Sequence, residues 1–311
     1  MHETILITGG TGFVGKHLVR ALLDSGDEIH VTTFNDQTSE RADVLVHTVD
    51  LSDAQATRQL FETVRPTQIY HLASIAAVGS SFEQAETVLS QNTALHLSVL
   101  QALVAVTPDA KLLHVSSAEV YGTSNPDELP IDENHPFRPV NPYGVSKATQ
   151  DMLTACFAQS YGLQAVRVRS FNHIGAGQSP AFALPAFAKQ LVEIERDAAP
   201  VIEVGNLHAI RDFTDVADIV QAYVLLMRAG VAGEVYNLGS GTGYSMQDVL
   251  NQMVTILDIP VDVQVDPKRL RPLDIPVMVA NNAKMTALGW APTVPLEESL
   301  RRIIEYWREQ K

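Results

Sequence analysis

One cysteine, Cys156, stands in the 311 residues. No internal disulfide can form, and the chain suits a reducing cytoplasm. Long hydrophobic runs are missing as well: none approaches the roughly 20 residues of a membrane span. The N-terminus enters a strand directly without a signal-peptide pattern, so no membrane partner is expected. Positive charge is scarce. With 22 Lys and Arg against 36 Asp and Glu, the formal net charge is -14, which argues against nucleic acid or an anionic membrane as partner. An anionic ligand stays open where local arginines, lysines and helix N-termini gather to hold it. No repeat, low-complexity tract or Cys/His spacing of the metal-binding kind is present, and no metal is expected. Apolar residues make up 46% of the chain, as in a globular protein, and the length suits one large domain with a smaller one.

Residues 4–8 form a short, β-rich apolar run, followed by Gly9-Gly10-Thr11-Gly12-Phe13-Val14-Gly15 and a helical stretch to about Ser25. Glycines at this spacing, after a strand and opening a helix, read as a dinucleotide-binding turn. Absent side chains let the backbone approach a pyrophosphate, whose charge the helix N-terminal amides stabilise. Gly9, Thr11, Gly12, Phe13 and Val14 are the candidate contacts. Far downstream, Asn141-Pro142-Tyr143-Gly144-Val145-Ser146-Lys147 offers an N-cap, a first-turn proline and a Tyr/Lys pair four residues apart. Positions i and i+4 share a helix face, so the lysine ammonium is expected to lower the phenol's pKa from about 10 and fit it for proton exchange with an alcohol or ketone.

The second strand should select the cofactor. It ends His30-Val31-Thr32-Thr33-Phe34-Asn35, with no carboxylate until Asp36 to meet a ribose 2′-hydroxyl, and with Arg41 the nearest grip for a 2′-phosphate. NADP(H) and NAD(H) both stay open, NADP(H) slightly favoured. Asp50 and Leu51, ending the third strand, are placed to meet the adenine or to form an ordinary strand-ending turn.

Strands are predicted at 4–8, 28–33, 44–49, 68–72, 111–115 and 164–169, with helical patterns between most of them. Such alternation implies an α/β doubly wound parallel sheet of the Rossmann type, covered on both faces. After about Phe171 prolines become frequent and elements shorten, although 216–227 and 236–238 still read as a helix and strand that rejoin the sheet. The expected organisation is a cofactor-binding domain over 1–170, to which 206–240 returns, and a smaller, interleaved substrate domain mainly in 171–311. The helix over 84–106 is apolar on two sides, Val88, Leu95, Val99 and Leu103 against Leu89, Leu97, Leu100 and Val104. Both sides must be buried, one by the core and the other by a loop or a second copy of the chain.

Several segments together resemble the extended short-chain dehydrogenase/reductase family, in its nucleotide-sugar branch. They are the glycine turn, His71-Leu72-Ala73, Ser116-Ser117-Ala118-Glu119-Val120-Tyr121-Gly122, residues 143–147, residues 169–175, residues 211–216 and Arg271-Pro272-Leu273-Asp274. The later ones, including residues 171–178 and 270–276, are most similar to GDP-4-dehydro-6-deoxy-mannose reductases, which make GDP-rhamnose. The resemblance implies a catalytic trio of Ser117, Tyr143 and Lys147, with Leu72, Ala73, Ser74 and His173 lining the cofactor and Lys147 holding its ribose. It further implies Ser116 and Ser117 at the sugar, and Asn172, Arg211 and Arg271 at a nucleotide diphosphate, with Lys189 and Asp274 as further nucleotide contacts.

The implied reaction is reduction of the C4 ketone of a GDP-linked 4-keto-6-deoxyhexose by a soluble, homodimeric enzyme. A 4-epimerase needs the same trio. A 4,6-dehydratase needs a base and often an acid; Glu119 suits the base, whereas Ala118 cannot be the acid. Arg211 has an alternative use in pairing with Asp212 or Asp215. A non-catalytic cofactor sensor on this fold would typically lose the tyrosine or lysine, and both are present with Ser117.

Overall fold

The computed structural model describes residues 2–34, 43–76, 78–79 and 81–310. Along the first half alternate β1 (Thr4–Thr8), α1 (Phe13–Leu22), β2 (Glu28–Thr33), β3 (Val44–Thr48), α2 (Ala54–Val64), β4 (Gln68–His71), α3 (Ala85–Val106), β5 (Lys111–Ser117), α4 (Pro142–Tyr161) and β6 (Ala165–Ser170). The second half adds β7 (Asn172–Ile174), α5 (Ala183–Glu195), β8 (Val201–Val204), β9 (Ile210–Asp215), α6 (Val216–Ala229), β10 (Val235–Leu238), β11 (Gly243–Ser245), α7 (Met246–Leu257), β12 (Asp262–Val265), β13 (Val277–Met278), α8 (Ala283–Ala287) and α9 (Leu296–Glu309).

Seven strands form one sheet in the order β10-β6-β5-β4-β1-β2-β3, every neighbouring pair parallel. This is the doubly wound sheet expected. β1 is buried from Ile5 to Thr8, as a central parallel strand with helices on both faces must be. On one face α1 and α6 bury Leu18, Leu22, Ile219, Tyr223 and Leu226 against Ile5, Ile7 and Val168. On the other, α2 and α3 bury Leu60, Phe61, Val99, Leu100 and Leu103 against Leu6, Ile69 and Leu112. Strand order reverses between β1 and β4, so a crevice opens at their C-terminal ends.

A separate core lies in the second half, where α5, α7 and α9 enclose Leu191, Val192, Ile202, Val249, Met253, Leu300 and Ile304. β11, β9 and β13 form a smaller sheet, joined by β7 pairing with β9, while β8 and β12 pair alone. The chain crosses between the two bodies within residues 210–238: β9 belongs to the smaller sheet, α6 rests on α1, and β10 extends the large sheet beyond β6.

α3 buries a stripe that includes Val88, Asn92, His96, Val99 and Leu103. Its second side is only partly covered, with Leu100 buried but Leu89, Leu97 and Val104 half-exposed. No helix among the described residues is long and apolar enough to cross a membrane.

The core holds His71, His96 and His114, each at most 1% exposed. Burial is the largest cause lowering all three pKa values, that of His71 to about 3. A folded-state value below the unfolded one of about 6.5 means that the unfolded chain binds more protons at acid pH. Stability should therefore be complete above about pH 6.5 and fall, once all three take part, by roughly 4 kcal/mol per pH unit toward pH 4. Thermal melts between pH 8 and 4 test this: a steep loss of Tm below pH 6 is expected, and a flat profile would contradict it.

Candidate active site

The glycine turn sits at the crevice. Gly9 has φ +69°, which a residue with a Cβ rarely adopts, and its amide donates to Thr32 Oγ1 at 3.1 Å. A Cβ on Gly15 would stand 2.5 Å from the Gly9 carbonyl oxygen, so only glycine lets α1 start directly beneath the turn. Gly12, exposed, is the N-cap of α1 and makes no side-chain capping bond. The first helical amides thus face the crevice through an opening that no side chain fills, which fits a dinucleotide diphosphate. Thr11, Phe13 and Val14 are half-buried around it, and the Phe13 ring stacks on His173 with centroids 6.3 Å apart.

Across the crevice, the loop after β4 is fixed from two sides. Thr8 Oγ1 accepts from the amides of Leu72 and Ala73, both at 3.1 Å. Asn92, fully buried on α3, accepts from the Ile75 amide at 2.7 Å and donates to the Ile75 carbonyl at 3.3 Å and to Ser146 Oγ at 3.0 Å. Ser146 Oγ donates in turn to the Tyr143 carbonyl at 2.8 Å. One amide side chain therefore ties the Leu72–Ala73–Ser74 loop to the first turn of α4. Asp50 accepts from the Ser52 amide and hydroxyl at 2.8 and 2.7 Å, both on Oδ1, which turns the chain at the end of β3, and Leu51 is buried in the core. Asn35, Asp36 and Arg41 lie outside the described residues.

α4 begins as its sequence implies. Asn141 Oδ1 accepts from the Gly144 amide at 2.7 Å and Pro142 occupies the first turn. Tyr143 and Lys147 are both buried, and the Ser117 hydroxyl is near enough to the Tyr143 phenol to favour its ionised form. The Lys147 Nζ donates to the Val115 carbonyl at 3.0 Å and stands 6.0 Å from the centre of the Tyr143 ring. The three side chains converge.

The electrostatics differ from expectation. Burial raises the Tyr143 pKa, Glu119 raises it further, and the Ser117 hydroxyl only partly opposes them. Lys147 does not reverse this, and its own pKa is lowered by burial to about 7 against the attraction of Asp151. Tyr143 therefore keeps its proton.

Of the remaining candidates, Arg211, Asp274 and Arg271 form one group, and one candidate is an exception to any grouping. Arg211 Nη2 donates to Asp274 Oδ1 at 2.7 Å, and Arg271 Nη1 lies 3.9 Å from the same oxygen. Glu119 and Arg271 both act on Arg211 electrostatically, which joins this group to the tyrosine. Asp212 and Asp215 are engaged elsewhere: Asp212 with Ser240, Gly241 and Ala280, Asp215 with Ala217 and Ser299. Asn172 on β7 and Ser116 on β5 each present an unpaired buried oxygen. The exception is Lys189, exposed on α5, whose partners are Glu193 at 3.9 Å and the Trp307 ring at 5.8 Å. Glu119 Oε2 accepts from Asn141 Nδ2 at 2.7 Å, so the N-cap residue also holds this carboxylate.

Two features went unread in the sequence: the Asn92 clamp and a buried cluster of His71, His96 and His114. The available signal was Asn92 and His96 standing within the apolar stripe of α3, at i and i+4.

A family model described as GDP-mannose 4,6 dehydratase matches residues 6–303. GDP-6-deoxy-D-mannose reductase of Pseudomonas aeruginosa is 30% identical over all of this chain and 99% of that protein. The structure of RMD from Pseudomonas aeruginosa complexed with NADPH superposes with TM-score 0.86 at 29% identity, covering 99% of both chains. That of the Thermus thermophilus UDP-glucose 4-epimerase complex with NAD gives 0.89, also at 29% identity and 99% of both chains.

Asn92→Ala strands the Ile75 amide. It should cost about 2–4 kcal/mol and weaken NADPH binding through the released loop. Calorimetry and a fluorescence titration of NADPH check both, and an unchanged Tm with unchanged affinity would refute the clamp.

Proposed function

The chain belongs to the GDP-mannose 4,6 dehydratase family, and we propose that within it this protein reduces the C4 ketone of a GDP-linked 4-keto-6-deoxyhexose, converting GDP-4-dehydro-6-deoxy-mannose to GDP-rhamnose. The observation that carries this reading is the meeting of Ser117, Tyr143 and Lys147 beside the Arg211–Asp274–Arg271 group, on a chain similar over its full length to a GDP-6-deoxy-D-mannose reductase. NADP(H) or NAD(H) serves as cofactor, NADP(H) being favoured; when bound, it supplies the hydride.

This chain's own residues do the rest. Gly9, Thr11, Gly12, Phe13 and Val14 with the α1 amides hold the cofactor diphosphate, and Leu72, Ala73, Ser74 and His173 line its path, with Asp50 and Leu51 toward the adenine. Ser117 donates a hydrogen bond to the keto oxygen and Ser116 lies beside it. Tyr143, whose burial keeps it protonated at neutral pH, delivers the proton as that oxygen gains charge. Lys147 binds the ribose. Arg211 and Arg271 pair bidentately with the substrate diphosphate, aided by Asn172, while Asp274 orients both guanidinium groups and Lys189 is a peripheral candidate.

Glu119 favours the reductase over a dehydratase. Its carboxylate is tied to Asn141, and the neighbouring residue is a fully buried alanine, so elimination would have a committed base and no acid. We further propose that 1–170, with 206–240 returning, serves the cofactor and 171–311 mainly the sugar nucleotide. We also propose a cytoplasmic homodimer joined through α3 and α4, whose Leu89, Leu97, Val145 and Met152 present half-exposed or exposed apolar surface.

The test mixes purified protein, NADPH and the keto-sugar nucleotide and follows nicotinamide absorbance. One NADPH should be consumed per sugar reduced, and Tyr143→Phe should lower turnover by about 10²–10⁴-fold with NADPH affinity kept. Sugar conversion without net NADPH loss would indicate an epimerase or dehydratase and overturn the reductase reading.

A further inference from the structure

Three histidines from three elements close on one another: His71 at the end of β4, His96 on α3 and His114 on β5, the residue before the Val115 whose carbonyl Lys147 bonds. A ring nitrogen from each lies within 4.8 Å of the others. Four of their six ring nitrogens have no partner: His71 Nε2, His96 Nδ1 and both of His114. An unpaired buried polar atom costs about 1–3 kcal/mol, so four together point to a ligand among them.

The neighbours of the cluster settle where its protons sit, and so what the ligand is. Thr8 Oγ1 spends both lone pairs on the Leu72 and Ala73 amides. Its own proton therefore goes to His71 Nδ1, 2.7 Å away, and neutral His71 carries its hydrogen on Nε2, facing the cluster. Thr154 Oγ1 donates to the Gln150 carbonyl at 2.9 Å. It accepts from His96 Nε2 at 2.9 Å, which leaves His96 Nδ1 a bare acceptor. His114, fixed by no neighbour, offers one donor and one acceptor. A transition-metal ion needs a lone pair from every ring, and His71 presents a proton instead. Lys147, close enough to depress the proton affinity of all three rings, disfavours a cation as well. Water suits the set: it is neutral, both donates and accepts, and two partners of one tetrahedral water stand roughly 4.7 Å apart.

We propose that His71, His96 and His114 hold one internal water against the buried side of Lys147, and that His96 and His114 are positioning residues which keep its ammonium solvated within the core. The ammonium has three protons, one of which goes to the Val115 carbonyl, the residue next to His114. Charged groups facing it are Asp151 on its own helix and the three rings from β4, α3 and β5; Asp151 is shared with Arg167 and Arg169. The polar cluster thus supplies solvation that an otherwise apolar interior lacks. The catalytic consequence rests on Lys147 belonging to the reductase trio proposed above.

The experiment compares wild type, His114→Leu and His114→Asn by pH profiles of kcat/KM for NADPH oxidation and, separately, of NADPH binding. A less solvated ammonium loses its proton sooner. His114→Leu should therefore shift the alkaline limb of both profiles down by about one pH unit or more, with values near pH 6 within about twofold of wild type. Asparagine, which keeps a donor and an acceptor, should restore most of the shift. Superimposable profiles, or an asparagine variant no different from leucine, would overturn the proposal. So would stoichiometric zinc or cobalt retained by the wild type and lost from His114→Leu in elemental analysis. If His114→Leu does not fold, His96→Val removes the bare acceptor and is read the same way. A wild type that oxidises no NADPH refutes the reductase reading alone, since the binding profiles still decide this one.

Discussion

A single ammonium carried into the core governs the chemistry of this protein. Lys147 is 4% exposed, bonded to one carbonyl and attracted by one already shared carboxylate. Burying a charge on those terms lowers its proton affinity into the neutral range. Tyr143 is dry as well: its own burial, reinforced by Glu119, raises its pKa and keeps it a phenol. A phenol is what a ketone needs as its oxygen accumulates charge. The lowered lysine pKa and the retained tyrosine proton both follow from desolvation.

Holding that arrangement requires elements from the whole width of the large sheet. β1 contributes Thr8, β4 the loop it anchors, α3 the amide of Asn92, β5 Ser117 and the Val115 carbonyl, and α4 the tyrosine and lysine. They meet because the strand order reverses between β1 and β4, and parallel strands all point their C-terminal ends to one rim. In the second body Arg211 leaves β9 and meets Asp274 from the segment before β13, gathering cations on a chain that is acidic overall.

What could be read from the sequence was local. The glycine turn, the Asn141 cap and the Tyr143/Lys147 pair are set by spacings of three or four residues, and turn and helix geometry translate such spacings directly into positions. The strands of the sheet were legible for the same reason, as apolar runs bounded by turns. Contacts closed by the fold were not. Nothing in the spacing of residues 71, 96 and 114 announces a cluster, since each lies on a different element. The sign of the Tyr143 shift was missed because spacing reports that a lysine is near but not that both groups are dry. Arg211 has acidic neighbours in sequence, yet its carboxylate partner comes from Asp274, 63 residues away. The side chain of Lys189 turns toward Trp307, an orientation set by the contact of α5 with α9.

In the function proposed above, these residues aim a hydride at an external ketone rather than shuttling one within a sugar. Isotope transfer tests it most directly. With NADPH dideuterated at nicotinamide C4, the account predicts that product sugar nucleotide gains one deuterium, located at sugar C4 by mass spectrometry and NMR. Product formed without deuterium would mean that the hydride came from the substrate itself and would contradict the account.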